Sequence, residues 1–86
     1  MVSKFNVFPN PSASATTVTV QLLLTENTDV KIELIDLSGK LIISELAGNV
    51  KQFNFEINTS SLAGGVYVVR ATGSKLNLNQ RLTINK

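Results

Sequence analysis

Regular alternation of apolar and polar residues constrains the fold of this 86-residue chain more than any other feature. In residues 17–22, threonine or glutamine alternates with valine or leucine, and the same period of two returns in residues 30–34, 53–57 and 67–71. It returns again in residues 76–84, where Gln80 interrupts the apolar set. Successive side chains of a strand point to opposite faces, and no stretch of useful length has a helical period. We therefore predict an all-β protein.

Turn-forming residues divide this pattern into short pieces. The polar segment Thr25–Asp29 predicts a hairpin loop, Asp36–Lys40 a type I turn, and Gly48–Asn49 and Gly73–Ser74 two further turns. Alternation with one polar face favours antiparallel sheets. The number and spacing of the pieces predict a seven-stranded antiparallel Greek-key β-sandwich. The expected strands cover residues 4–8, 16–24, 29–36, 40–47, 51–57, 65–72 and 75–85.

The inward-facing strand positions predict one apolar core. A chain of this length forms one domain with a small core, so we expect modest stability. The expected core residues are Val18, Val20, Leu22, Val30, Ile32, Leu34, Leu41, Ile43, Phe53, Phe55, Ile57, Tyr67, Val69, Leu82 and Ile84.

The residue types that are missing exclude several kinds of chemistry. The chain has no cysteine and no histidine, so it has no disulfide, no thiolate nucleophile and none of the commonest general base. Six carboxylates remain, and no spacing brings two of them together as an acid and a base or forms a calcium loop. We predict no enzyme activity, no catalytic residue, no cofactor and no metal site.

Charge and hydropathy argue against two kinds of partner, nucleic acid and the interior of a membrane. The net charge is +2, and the eight basic residues are scattered singly rather than clustered with aromatics, so we do not expect nucleic-acid binding. The longest apolar runs, residues 22–24 and 41–43, are too short to cross a bilayer, so we expect the chain not to be embedded in a membrane. The first residues lack the apolar segment of a signal peptide, as would a domain cut from the end of a larger exported protein.

Two residues have a predicted structural role. Asp36 opens its turn, so we expect its carboxylate to accept a backbone N–H two residues on, Gly39 to adopt a positive φ, and Leu37 to cover the core. Tyr67 stands near the start of a late strand, where a sandwich tyrosine bonds back to the backbone of the preceding corner. Arg70 falls on the opposite face of the same strand, and we expect it to be solvated.

The segment Pro9-Asn10-Pro11 follows the first apolar stretch. Each proline lacks an N–H and fixes φ near −65°, so strand pairing must stop there. We expect a stiff, extended elbow between the first strand and the polar stretch that follows.

Four segments form an ordered set along the chain: VFPNP, VKIELIDLSGKLI, LAGGVYVVRATGSK and the final RLTINK. This set resembles the C-terminal sorting domain of type IX secretion cargo, type A family, over nearly the whole chain. The stretch from Leu41 to Phe53 departs from the family pattern, and the final strand is rich in asparagine and glutamine rather than lysine. The matching recognition residues are Pro9, Asn10 and Pro11; Asp36, Gly39 and Lys40; Gly65, Tyr67 and Arg70; and Leu82, Ile84 and Lys86.

The resemblance implies an immunoglobulin-like sandwich that acts as a secretion signal. Residues 5–86 would be the sorting domain, and residues 1–4 a remnant of a linker or of a cloning boundary. Such a domain brings an upstream cargo domain from the periplasm to the type IX outer-membrane translocon and its shuttle proteins. It is also a candidate substrate of a sortase-like cysteine protease that attaches cargo to the surface. The protein would be secreted or held at the cell surface.

Two other functions remain open. A carbohydrate-binding or adhesive accessory module of a secreted hydrolase would have the same fold. Such modules usually expose coplanar aromatic residues, and Phe53 and Phe55 share one face, but this face is also the expected core side. A structural spacer would bind nothing. Edge strands also predict weak self-association, with Lys75 and Lys86 as charged residues that would oppose it.

Overall fold

The computed structural model of the protein describes residues 2–8, 17–74 and 76–85. Every regular element in this part of the chain is a β-strand, and all neighbouring strands pair antiparallel. The all-β, antiparallel prediction is confirmed. The five strands are β1 (Val2–Phe8), β2 (Thr17–Asp36), β3 (Leu41–Asn58), β4 (Gly65–Thr72) and β5 (Asn77–Ile84).

Two long strands organise the sheet. β2 has 20 residues and β3 has 18, and they pair from Thr17 opposite Asn58 to Ile35 opposite Leu41. The other edge of β2 is divided between two partners, because β1 pairs with residues 19–24 and β4 with residues 31–36. β5 pairs with the far edge of β4. The result is a single antiparallel sheet that curls around its buried side chains.

The strand count corrects the prediction from the sequence. The described residues form five strands in one curled sheet, not seven strands in a Greek-key sandwich. The expected strands 16–24 and 29–36 are the two halves of β2, and the expected strands 40–47 and 51–57 are the two halves of β3. β1 begins at Val2, two residues before the expected start of the first strand.

The predicted loop at Thr25–Asp29 and the predicted turn at Gly48–Asn49 are irregularities inside continuous strands. The register of β2 against β3 shifts between Leu23, opposite Gln52, and Thr28, opposite Val50. It shifts again beside Gly48, which has a φ of 76°. Extra residues in one strand of a pair form a bulge, which bends the strand without ending it. The polar segments are therefore bulges rather than connections.

The even-numbered face of β2 is the centre of the core. Its side chains stay buried on both sides of the bulge, because the alternation resumes at Thr28 with the same parity. β4 and β5 add their inward residues to the same cluster, and β1 contributes Val7. The fully buried hydrophobic residues of this cluster include Val18, Val20, Leu22, Ile32, Leu34, Ile57, Val69 and Leu82.

Most of the predicted core is confirmed, and Leu41 is the clear error. Leu41 is 50% exposed, whereas Ile43, Phe53 and Phe55 are half-buried at the margin of the core. Ile43 lies opposite Leu34, but the next pair along the strands joins Leu41 to Ile35. The bulge at this shift moves Leu41 to the outer face.

Candidate recognition surface

Seven of the predicted recognition residues lie at one end of the sheet. Asp36 at the end of β2 lies opposite Tyr67 in β4, and Tyr67 lies opposite Leu82 in β5. Two residues before Tyr67 in β4, Gly65 lies opposite Ile84 of β5. We call this region, residues 36–40, 65–67 and 82–84, the turn end of the sheet. The structure thus brings together residues from three distant segments of the chain.

The turn between β2 and β3 closes around Asp36. The Gly39 N–H donates to the Asp36 carbonyl oxygen at 3.0 Å, and the Asp36 N–H donates to the Lys40 carbonyl oxygen at 3.0 Å. The carboxylate oxygen Oδ1 accepts from the Ser38 N–H (2.9 Å), the Ser38 hydroxyl (2.7 Å) and the Lys40 N–H (2.9 Å). Gly39 has a φ of 89°. The predicted structural roles of Asp36 and Gly39 are confirmed.

These hydrogen bonds favour the ionised carboxylate. The Ser38 hydroxyl, and after it the Lys40 N–H, hold the pKa of Asp36 below its ordinary value of 3.8. The Ser38 hydroxyl is a partner that sequence reasoning missed, although the Asp-x-Ser spacing is the signal for such a turn. Leu37 does not cover the core as predicted: it is 73% exposed, because it lies in the turn beyond the paired ends of the strands.

Tyr67 fastens the connection between β3 and β4 to the turn end. Its hydroxyl donates to the carbonyl oxygen of Ala63 at 2.7 Å, and the residue is 7% exposed. Within the same connection, the Leu62 N–H donates to the Thr59 carbonyl oxygen at 3.1 Å. The predicted bond from the tyrosine to the preceding corner is confirmed. Tyr67 therefore fixes both the core and the path of the chain into β4.

Arg70 lies on the outer face of the sheet in a small network of charged and polar groups. Its Nη1 is 3.9 Å from Oε1 of Glu33, and its Nε donates to Oδ1 of Asn79 at 3.4 Å. Nζ of Lys31 is 3.6 Å from Oε2 of the same glutamate. The Arg70 side chain is 43% exposed, as predicted, and the network adds partners that the sequence did not indicate.

Two groups of predicted recognition residues, Pro9-Asn10-Pro11 and Lys86, lie outside the described residues, as does Lys75. Within the described ranges, no group of three acidic residues is placed to hold a metal ion. No helix long and apolar enough to cross a membrane is found there either. An open groove of about 500 Å³ lies near the middle of the sheet, lined by Asp29, Val30, Lys31, Leu46, Gly48, Thr72 and Gly73.

Several of the predicted residues form one end of the sheet, which has a closed turn, an exposed lysine and an exposed leucine. The sequence profile of the secretion system C-terminal sorting domain matches residues 6–85. The chain belongs to this family, the C-terminal sorting domains of type IX secretion.

A solved structure supports the fold. The chain is similar to part of the crystal structure of dimeric latent PorU from Porphyromonas gingivalis, with a TM-score of 0.71 and 15% sequence identity. The match covers 94% of this chain and 9% of the PorU chain, so this domain spans a small part of that protein's length. No curated protein matches the sequence.

Membership of the family gives the domain a general role. Type IX C-terminal sorting domains mark proteins that are exported to the cell surface or secreted, and they are generally not catalytic. Such a signal acts together with a cargo protein and with secretion machinery.

Proposed function

We propose that this domain directs a larger upstream cargo through the type IX outer-membrane translocon, and that the turn end together with Arg70 and β5 is the surface that the machinery recognises. The observation that carries the proposal is the match of the family profile over residues 6–85. The turn end is the favoured surface because the recognition residues of three distant segments meet there. Translocon and shuttle proteins are the proposed partners.

The recognition residues divide into two groups with different roles. Tyr67, Leu82 and Ile84 are buried, so they maintain the shape of the surface. Lys40 is exposed at the turn, and Arg70 is partly exposed on the outer face. These two cations are the groups that a partner could contact directly, and Pro9-Asn10-Pro11 and Lys86 remain proposed contacts on the basis of the family pattern.

Export of a fusion protein tests the proposal. Residues 1–86 are fused to the C-terminus of a fluorescent protein with a periplasmic export signal, in a bacterium that has the type IX route. We expect fluorescence at the cell surface or in the medium, and retention in the periplasm of a strain without the translocon. A fusion that stays periplasmic in the competent strain would contradict the proposal.

Two kinds of variant then distinguish residues that maintain the fold of the domain from residues that contact the secretion machinery. A truncation ending at Ser74 removes β5, uncovers the core and should abolish export. Lys40→Ala and Arg70→Ala leave the core intact, so we expect normal folding by circular dichroism but reduced export. If both variants are exported like the wild type, the machinery contacts a different part of the domain.

Removal of the domain by a sortase-like cysteine protease is the second step that we propose. The resemblance to sorting domains of cargo that is attached to the surface supports this step. The mass of the exported fusion protein checks this step: we expect the product to lack the domain in the wild-type strain and to keep it when the sortase is inactive. An exported product that keeps the domain in both strains would rule out cleavage.

A carbohydrate-binding or adhesive module is the alternative, and one observation favours it. The rings of Phe53 and Phe55 are stacked, with centroids 6.1 Å apart and an interplanar angle of 15°, and both side chains are only half-buried. Partly exposed aromatic side chains can line a site for a small ligand such as a sugar. Binding on a glycan array that Phe53→Ala abolishes without unfolding the domain would favour this function over sorting.

A further inference from the structure

β3 is a long strand that has one strand partner among the described residues. It pairs with β2, and no other described strand pairs with its second edge between Leu41 and Asn58. Open edges are usually protected by charge, proline or short length. β3 has three charged residues, no proline, and two leucines, Leu41 and Leu46, that are 50% and 75% exposed. This edge is therefore suited to pairing with another strand.

The charges along this edge are complementary to themselves. Glu45 and Lys51 of β3 carry opposite charges, and both are exposed. They lie equally far from Gly48, on either side of it. If two copies of β3 pair antiparallel with Gly48 opposite Gly48, Lys51 of each copy lies opposite Glu45 of the other.

Apolar contacts and the curl of the sheet agree with the same register. This register sets Ile43 of one copy opposite Phe53 of the other. Within each copy both side chains are half-buried and lie on the inner face, where Ile43 pairs with Leu34 and Phe53 with Leu22 of β2. Pairing would cover the exposed parts of both side chains. A two-fold axis through Gly48 and normal to the sheet turns the curl of each copy to the same side, so the sheet continues from one molecule into the other.

We propose that the open edge of β3 binds β3 of a second copy of this chain, antiparallel and centred on Gly48. An interface between identical partners must be complementary to itself, and the opposite charges of Glu45 and Lys51 meet this requirement. A strand from an unrelated protein would meet the same edge, but nothing would then require the charges to be symmetric about Gly48. The proposal does not depend on the sorting function.

Sedimentation equilibrium of the whole chain over a range of concentrations tests the proposal. We expect a reversible dimer. Lys51→Glu and Glu45→Lys each place like charges opposite one another twice in the dimer, and should raise the dissociation constant about 5- to 30-fold. The double variant, with both charges exchanged, restores opposite pairs and should return the dissociation constant close to the wild-type value.

The matched control is Lys4→Glu, which changes the net charge as Lys51→Glu does but lies exposed on β1, away from β3. We expect it to leave dimerisation nearly unchanged, and circular dichroism shows whether each variant is folded. A chain that stays monomeric at every concentration would overturn the proposal and would leave the edge open to a different protein. Failure of the double variant to restore dimerisation would refute the proposed register.

Discussion

At the scale of single residues, Gly73, in the connection between β4 and β5, has no space for a side chain. Its N–H donates to the carbonyl oxygen of Leu76 at 3.0 Å, which closes the connection. A Cβ added at Gly73 would overlap the backbone oxygen of Asp29 in β2. The side-chain oxygens of Thr28 and Ser74 lie 3.3 Å apart beside this contact. Glycine is therefore required here for space.

We expect Gly73→Ala to lower the free energy of unfolding by about 2–3 kcal/mol, because the overlap is with backbone rather than with a movable side chain. Urea denaturation measures the change. Gly48→Ala is the matched control, since a Cβ there meets open space and only the positive φ is unfavourable, at about 1 kcal/mol. Equal losses for the two variants would show that the contact with Asp29 has no effect.

At the scale of elements, the turn between β2 and β3 depends on one ionised side chain. The Asp36 carboxylate accepts three hydrogen bonds from Ser38 and Lys40, which hold the turn in one conformation. Protonation weakens the carboxylate as an acceptor, so the turn should loosen in acid. Since the turn sets where β3 begins, its closure also helps to fix the register of the two longest strands.

The pH dependence of stability follows from the direction of the pKa shift. The pKa of Asp36 is lower in the folded state than in the unfolded state, so its contribution is fully present above pH 3.8 and is lost as the pH falls through the folded pKa. We expect Asp36→Asn to remove this part of the acid loss in urea midpoints measured between about pH 5 and pH 2.

Ser38→Ala is the companion variant for this measurement. It removes the largest cause of the pKa shift and should reduce the acid loss without removing the carboxylate. Acid curves of the same shape for the wild type and Asp36→Asn would contradict the prediction.

At the scale of the whole molecule, β2 holds the sheet together. It pairs with β3 on one edge and with β1 and β4 on the other, and its even-numbered side chains form the centre of the core. β1, by contrast, has β2 as its only strand partner among the described residues. Local opening requires less free energy where a segment has fewer buried contacts and fewer paired edges.

Hydrogen exchange followed by NMR tests this hierarchy. We expect the amides of Val20, Leu22 and Ile32 in β2 to exchange most slowly, and those of β1 that bond to β2 to exchange faster. The physical reason is that β1 can separate while the pairing of β2 with β3 and β4 persists. Equal protection of β1 and β2 would mean that the sheet opens only as one unit.

The local pattern predicted the strands and most of the core, but not the continuity of the strands. Residues such as Val18, Ile32 and Leu82 are buried as their parity predicts, because alternation is a local property. The bulges in β2 and β3 depend on which residues lie opposite each other, and that pairing is not local. For the same reason the alternation wrongly predicts that Leu41 is buried, since the register shift between Leu34 and Ile35 turns its side chain to the outer face.

The candidate surface was predicted in part. The turn at Asp36 and the bond from Tyr67 follow from short-range spacing, and the structure agrees with both. The ion pair of Arg70 with Glu33 joins neighbouring strands whose pairing the sequence did not indicate. The meeting of Asp36, Tyr67 and Leu82 in one row likewise requires the register of three strands.

The divided edge of β2 has a mechanical consequence. A cargo attached upstream would transmit any pulling force through Val2 to β1, and not to β4 or β5. Because Val2 lies opposite Leu24 at one end of the pairing, a pull directed away from β2 would separate the pairs of β1 one after another, up to Phe8 opposite Thr19. β4 and β5 hold the rest of the same edge independently, so the turn end would keep its shape while β1 detached. The first strand would thus detach before the rest of the sheet and would protect the proposed recognition surface from the force on the cargo.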